Sequence, residues 1–148
     1  MTDSLQQSLH QYLVQNHLDL LISLQQENRL NTYLKEKIAT VRDMLGELAD
    51  EHRPTYVVEA LCMEELTRDL RPSRFEYIRK VLREEFEEDY VRMSQSGILT
   101  YEVINLVGAC EPIFEVFQFS EDNEDDKELA YAVVGMIAEY VEGQVNTA

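Results

Sequence analysis

Apolar side chains recur every three or four positions along most of the chain, from Leu5 to Val141, and no stretch alternates apolar with polar like a half-buried strand. That spacing confines the chain to helices packed on one another. Turn-forming residues are scarce too. Five Gly and three Pro in 148 residues leave few places to reverse direction, which predicts long helices with few connections. The expected fold is all-α: a compact multihelical single domain, residues 1–148, of about six helices around one core.

Capping signals place the elements. Asp3 with Gln6 and Ser4 with Gln7 have capping-box spacing and open a helix carrying Leu5, Leu9, Tyr12 and Leu13 on one face, broken at Asn16–His17. The run LDLLISL that follows reads as a short buried helix, with a strand as the minority option. Leu34, Ile38, Val41, Leu45 and Leu48 step by four and three, which predicts one long helix from Leu30, closed before Pro54. The next runs from Pro54 or Thr55 through Val58, Cys62, Leu66 and Leu70 to Arg71, because a residue before proline resists the helical region. Ser73 boxes with Glu76 to open another, whose stripe Phe75, Ile78, Leu82, Phe86 and Tyr90 carries it to Met93. Thr100 reads as an N-cap with Leu99 and Ile104 as its staple, and Pro112 either kinks or restarts that helix. Beyond the acidic loop Phe119–Asp126, a last helix starts near Asp125, boxed with Glu128, and runs to about Glu142. Its core AYAVVGMIA is apolar all round, the pattern of a helix buried on most sides.

Charge is the second constraint. A net charge of −16 argues against direct nucleic-acid binding, which needs a positive surface. It favours solubility, or an acidic surface that docks on a basic partner or imitates a nucleic-acid backbone. Yet Arg68, Arg71, Arg74, Arg79, Lys80 and Arg83 place six of the thirteen bases within sixteen residues. They precede the acidic run Glu84–Asp89, so one continuous helix would carry its charges against the macrodipole. The charges then answer to something outside that helix. Acids on neighbouring elements are expected on Arg79 and Arg83; side chains left free instead mark Arg71, Arg74, Arg79, Lys80 and Arg83 as a partner surface.

Chemistry-bearing motifs are missing. No phosphate-cradling glycine loop, nucleophile elbow, HExxH or CxxC occurs, so neither cofactor nor enzymatic activity is expected. His10 and His17 are seven apart but straddle the end of a helix, which argues against a ligand pair, and His52 reads as a surface residue. The Glu84–Asp89 run lacks the Glu-x-x-His partners of a bundle metal site. In the loop from Asp122, Lys127 and Val133 stand where a calcium loop needs Gly and a bidentate Glu. Cys62 and Cys110 lie on apolar helical patterns, as buried thiols of a cytoplasmic protein do, and no segment has the length and apolarity of a membrane span.

The segment Leu61–Phe86, LCMEELTRDLRPSRFEYIRKVLREEF, resembles a small family of bacterial helical proteins, a domain of unknown function found mainly in the bacteroidete group and often carried near conjugative transposons. SLHQYLVQNHLDLL, CEPIFEVF and AYAVVGMIAEYVE are similar to its first and last blocks. The likeness covers nearly the whole chain apart from Gln25–Arg53. It implies an all-helical fold and no established activity, and it assigns no catalytic or binding residue. The expectation is a non-enzymatic protein–protein interaction or accessory protein, associated with a mobile element, whose partner is unidentified and which is also open to homodimerisation. The alternative is an acidic nucleic-acid mimic that uses residues 84–89 and 121–128 to inhibit a DNA-binding protein.

Overall fold

Three helices end earlier than apolar spacing indicates, at Thr40, Leu66 and Glu85. The computed structural model describes the backbone of residues 2–147 and the side chains of residues 2–144. Among the described residues there are nine α-helices, one 3₁₀ turn and no strand. The all-α expectation is met, with nine helices in place of about six. Where the sequence offers no reason to divide the chain, packing groups the helices into two compact units, Met1–Arg71 and Pro72–Ala148, each with its own core.

The first unit contains α1 (Thr2–Asn16), α2 (Leu18–Gln26), α3 (Leu30–Thr40), α4 (Arg42–Asp50), α5 (Thr55–Leu66) and a 3₁₀ turn at Arg68–Leu70. α1 already includes Ser4, so Ser4 is not a cap. The hydroxyls of Ser4 and Ser8 instead donate to Glu59 Oε1 on α5, at 3.2 and 2.7 Å. The break at His17 falls where expected, and LDLLISL is helical. Asn28, in the left-handed region at φ +57°, closes α2 by letting the Arg29 amide reach the Leu24 carbonyl.

The expected long helix from Leu30 is two helices, broken at Val41. The Thr40 hydroxyl donates to the Lys37 carbonyl, the acceptor that the Val41 amide would use in a continuous helix. That amide bonds to Ile38 instead, and the adjacent β-branched Thr40 and Val41 make the turn stiff. The seam survives the break: Leu34, Ile38, Val41 and Leu48 are buried. α5 likewise stops at Leu66 short of Leu70, where the Thr67 hydroxyl donates to the Met63 carbonyl at 2.8 Å and the chain tightens into the 3₁₀ turn. Arg71 is extended before Pro72 (φ −109°, ψ 141°), as a residue before proline must be. Leu5, Leu9 and Leu13 place α1 at the centre of this core, against Leu34 and Ile38 of α3 and Val58 and Cys62 of α5. Each such leucine contributes about 1.5–3 kcal/mol by leaving water.

The second unit contains α6 (Arg74–Glu85), α7 (Glu87–Gln95), α8 (Leu99–Val116) and α9 (Lys127–Thr147). Ser73 caps α6 as expected, its hydroxyl accepting the Glu76 amide at 3.1 Å. The single helix expected to Met93 is broken at Phe86 (φ −134°, ψ 52°). Thr100 is not an N-cap: Gly97, at φ +75°, turns the chain so tightly that Ile98 already accepts the first bond of α8. Pro112 sits inside α8 and does not restart it. The carbonyl its missing amide releases belongs to Gly108, which is exposed and reachable by water. α8 closes with Gln118 in the left-handed region and the Phe119 amide on the Phe114 carbonyl. The cap of α9 is Asp126, one residue later than expected. Its carboxylate takes the Glu128 amide at 3.1 Å and its carbonyl takes that of Ala130. α9 runs on to Thr147 and is less enclosed than its composition implies: Leu129, Val133, Ile137 and Val141 are buried, whereas Tyr131, Gly135 and Glu139 line an open face. Among the described residues no helix is long and apolar enough to cross a membrane.

Candidate functional site

The break at Phe86 changes what the charges around it mean. It puts Arg83 in the last turn of α6, and Glu87, Glu88 and Asp89 in the first turn of α7, with Arg92 in its last. Arg83 and Arg92 then stand near helix C-termini and Glu87, Glu88 and Asp89 at an N-terminus, the favourable sense of the macrodipole, worth about 0.3–1 kcal/mol for each, whereas Glu84 and Glu85 in the last turn of α6 keep the unfavourable sense. The break at Phe86 reduces the inversion that a single helix would suffer and leaves part of it at the end of α6. No acid from another element meets Arg79 or Arg83 among the described residues.

Within each unit the basic side chains make separate contacts. In the first unit, Arg68 pairs with Glu65 of α5 at 2.8 Å. Arg71 turns back onto α5 and donates to the carbonyls of Glu64 (3.2 Å) and Thr67 (3.4 Å) at the end of that helix. In the second unit, the Arg74 guanidinium lies 5.3 Å from the centre of the Phe114 ring. Arg79 pairs with Glu76 of its own helix at 2.8 Å, an i,i+3 contact in place of the Glu76–Lys80 pair that the sequence favours. Lys80 and Arg83 alone are exposed and make no ion pair or hydrogen bond among the described residues. Of the five candidate residues, two present a free charge.

A shallow, open depression of about 450 Å³ lies on the solvent side of α7, lined by Glu87, Glu88, Val91, Arg92, Gln95 and Ser96 of that one segment. Met93, fully buried, holds the opposite side of this helix to the core. Arg92 is committed to Asp89 at 3.3 Å, whereas Glu84, Glu85, Glu87 and Glu88 are exposed and have no ion pair among the described residues.

Glu102 is the buried charge that spacing did not single out. It is 6% exposed on α8 and accepts hydrogen bonds from Tyr140 Oη and Gln144 Nε2 of α9, both at 2.6 Å. Burial and the bond to Glu102 together hold the Tyr140 hydroxyl above its usual range. His17, read as a helix break, has a further structural use. Its Nε2 donates to the Leu70 carbonyl at 2.6 Å, which closes the 3₁₀ turn onto the start of α2. His10 is exposed. Both thiols are buried and free, and burial raises both pKa values, Cys110 to about 11, so thiolate is scarce near neutrality. Asn123 organises the acidic loop with its own amide, accepting from the Ser120 amide (2.8 Å) and donating to the Phe117 carbonyl (2.7 Å). No group of three or more His, Cys, Asp or Glu among the described residues is placed to hold a metal ion.

Tyr33 gives the first unit a pH signature. Its hydroxyl is buried without a hydrogen-bond partner, and burial first, then Asp69, push its pKa from 10.0 to about 12. Folding favours the protonated phenol, so its contribution to stability is complete below pH 10 and is lost as pH rises towards 12. Tyr33→Phe is expected to flatten this alkaline loss, measured by urea unfolding at a series of pH values. Below pH 9 it should be neutral or stabilising by up to about 1 kcal/mol, since it removes an unsatisfied hydroxyl.

No protein-family model, curated protein or solved structure matches the chain.

Proposed function

We propose that this chain is a non-enzymatic, cytoplasmic interaction protein whose second unit presents charged and aromatic side chains to a protein partner. The observation that carries this reading is the exposure of large apolar side chains there: Tyr101 at 65%, Tyr131 at 72% and Val116 at 80%. Tyrosine is enriched among the anchors of protein interfaces, where its ring is covered and its hydroxyl stays wet. Lys80 and Arg83 are what remains of the basic candidate surface. The two buried free thiols suit a reducing compartment. The resemblance noted in the sequence adds a bacterial accessory role close to mobile elements. A second reading, imitation of a nucleic-acid backbone, is favoured by exposed acids without counter-charges at Glu84, Glu85, Glu87 and Glu88 and at Asp122, Glu124 and Asp125.

Affinity capture from the native lysate, quantified by mass spectrometry, tests both. The full chain should enrich a protein that Tyr101→Ser/Tyr131→Ser or Lys80→Glu/Arg83→Glu loses, with circular dichroism confirming that each variant is folded. Recovering nothing, or the same set with every variant, contradicts the interaction reading. Release of the captured protein by duplex DNA selects the mimic.

A further inference from the structure

We propose that the open, acidic solvent face of α7 is a docking surface for a basic amphipathic segment of a protein partner. The proposal rests on the interaction reading and names the chemistry of that partner. Val91, 43% exposed, supplies an aliphatic contact point, and Glu87 and Glu88 lie one helical turn before it on the same face. Only one cation lines the depression, and Arg92 already faces Asp89. Glu84 and Glu85, at the end of α6, extend the unpaired acids beyond Phe86.

Charge decides between occupants. A second copy of this chain would bring another net charge of −16 to an acidic face, and like charges placed together oppose association. An acidic or phosphorylated ligand meets the same repulsion. A segment with one or two aliphatic side chains between lysines or arginines matches both Val91 and the acids around it. Because these acids are exposed, their attraction should be screened by salt while the contact with Val91 persists.

The test uses the full chain and a fluorescein-labelled helical peptide of leucine and lysine, with a leucine–glutamate peptide as control. Anisotropy is read at about 0.1 M and about 1 M salt, where the screening length falls from about 10 to about 3 Å. The basic peptide should bind and the acidic one should not. Glu87→Gln/Glu88→Gln and Val91→Ser should each weaken binding about tenfold. Glu124→Gln/Asp125→Gln, which removes the same charge from the acidic loop, should change it less than about twofold. Amide shift changes in the unaltered protein, a readout that needs no variant, should cluster within residues 84–96. Absence of binding, an equal loss in the loop variant, or shifts centred elsewhere overturns the docking surface. Lysate capture separates the two claims. A partner retained by Glu87→Gln/Glu88→Gln and by Val91→Ser sinks the docking surface and leaves the interaction reading standing. A peptide that maps to α7 while the lysate yields nothing supports the docking surface and sinks the broader reading.

Discussion

Phe114→Ala is expected to destabilise the second unit by about 4 kcal/mol, a large share of the stability of an ordinary domain. Phe114 is fully buried. Its ring centre lies 5.7 Å from that of Tyr77 and 4.8 Å from that of Phe119, and Arg74 lies against it. Truncation therefore removes a large apolar side chain, two aromatic contacts and a cation–π contact at once. It also loosens the end of α8, because Phe114 and Phe119 are the residues whose backbone groups close that helix and whose rings pack across the turn. Urea unfolding followed by circular dichroism and tyrosine emission reads the loss; the chain has no tryptophan to obscure it. Phe114→Leu keeps most of the volume and should cost about half as much or less. A loss below about 1 kcal/mol for Phe114→Ala would mean that this cluster does not hold the unit together.

Tyr140→Phe is expected to cost about 2 kcal/mol, the range for a hydrogen bond to a buried charged group. Glu102 has no cation beside it among the described residues, so Tyr140 and Gln144 supply what water would otherwise supply. Removing one donor leaves part of the carboxylate unsatisfied in a site 6% exposed. Glu102→Gln keeps an acceptor for both donors without the charge, and Tyr140→Phe on that background should cost less than on the native one. Urea unfolding of the four proteins gives the coupling directly. Additive losses would show that the two side chains act independently.

The apolar seams and the sites of chain reversal were legible from residues alone. His17, Pro54, Pro72 and Gly97 mark real ends, because each changes the backbone's own options. The breaks at Val41 and Phe86 were not, since a one-residue interruption leaves the three-and-four spacing intact on both sides. Signals existed at each. At Val41 it was a hydroxyl beside a β-branched residue. At Phe86 it was the run Glu87–Asp89, which lies mid-helix on one helix and at a favourable N-terminus on two. Glu102 had a signal as well: it stands four residues before Leu106, on the seam that continues through Cys110 and Phe114, so a carboxylate occupies a core position. The free cations were harder to foresee, because whether Arg74 lies on Phe114 or Arg71 turns back onto α5 depends on packing that no local pattern encodes.

That the chain breaks at Phe86 is the claim on which the exposed acidic face of α7 depends. Amide hydrogen exchange across Leu82–Met93 tests it most directly. Two helices leave the first-turn amides of α7, at Glu87, Glu88 and Asp89, without carbonyl partners four residues back, so these three should exchange quickly. The amides of Phe86 and Tyr90, which bond to Leu82 and Phe86 at 2.9 Å, should exchange slowly on either side, and the Phe86 Cα shift should lie outside the helical range. Uniformly slow exchange from Leu82 to Met93 would instead describe one unbroken helix and contradict the account.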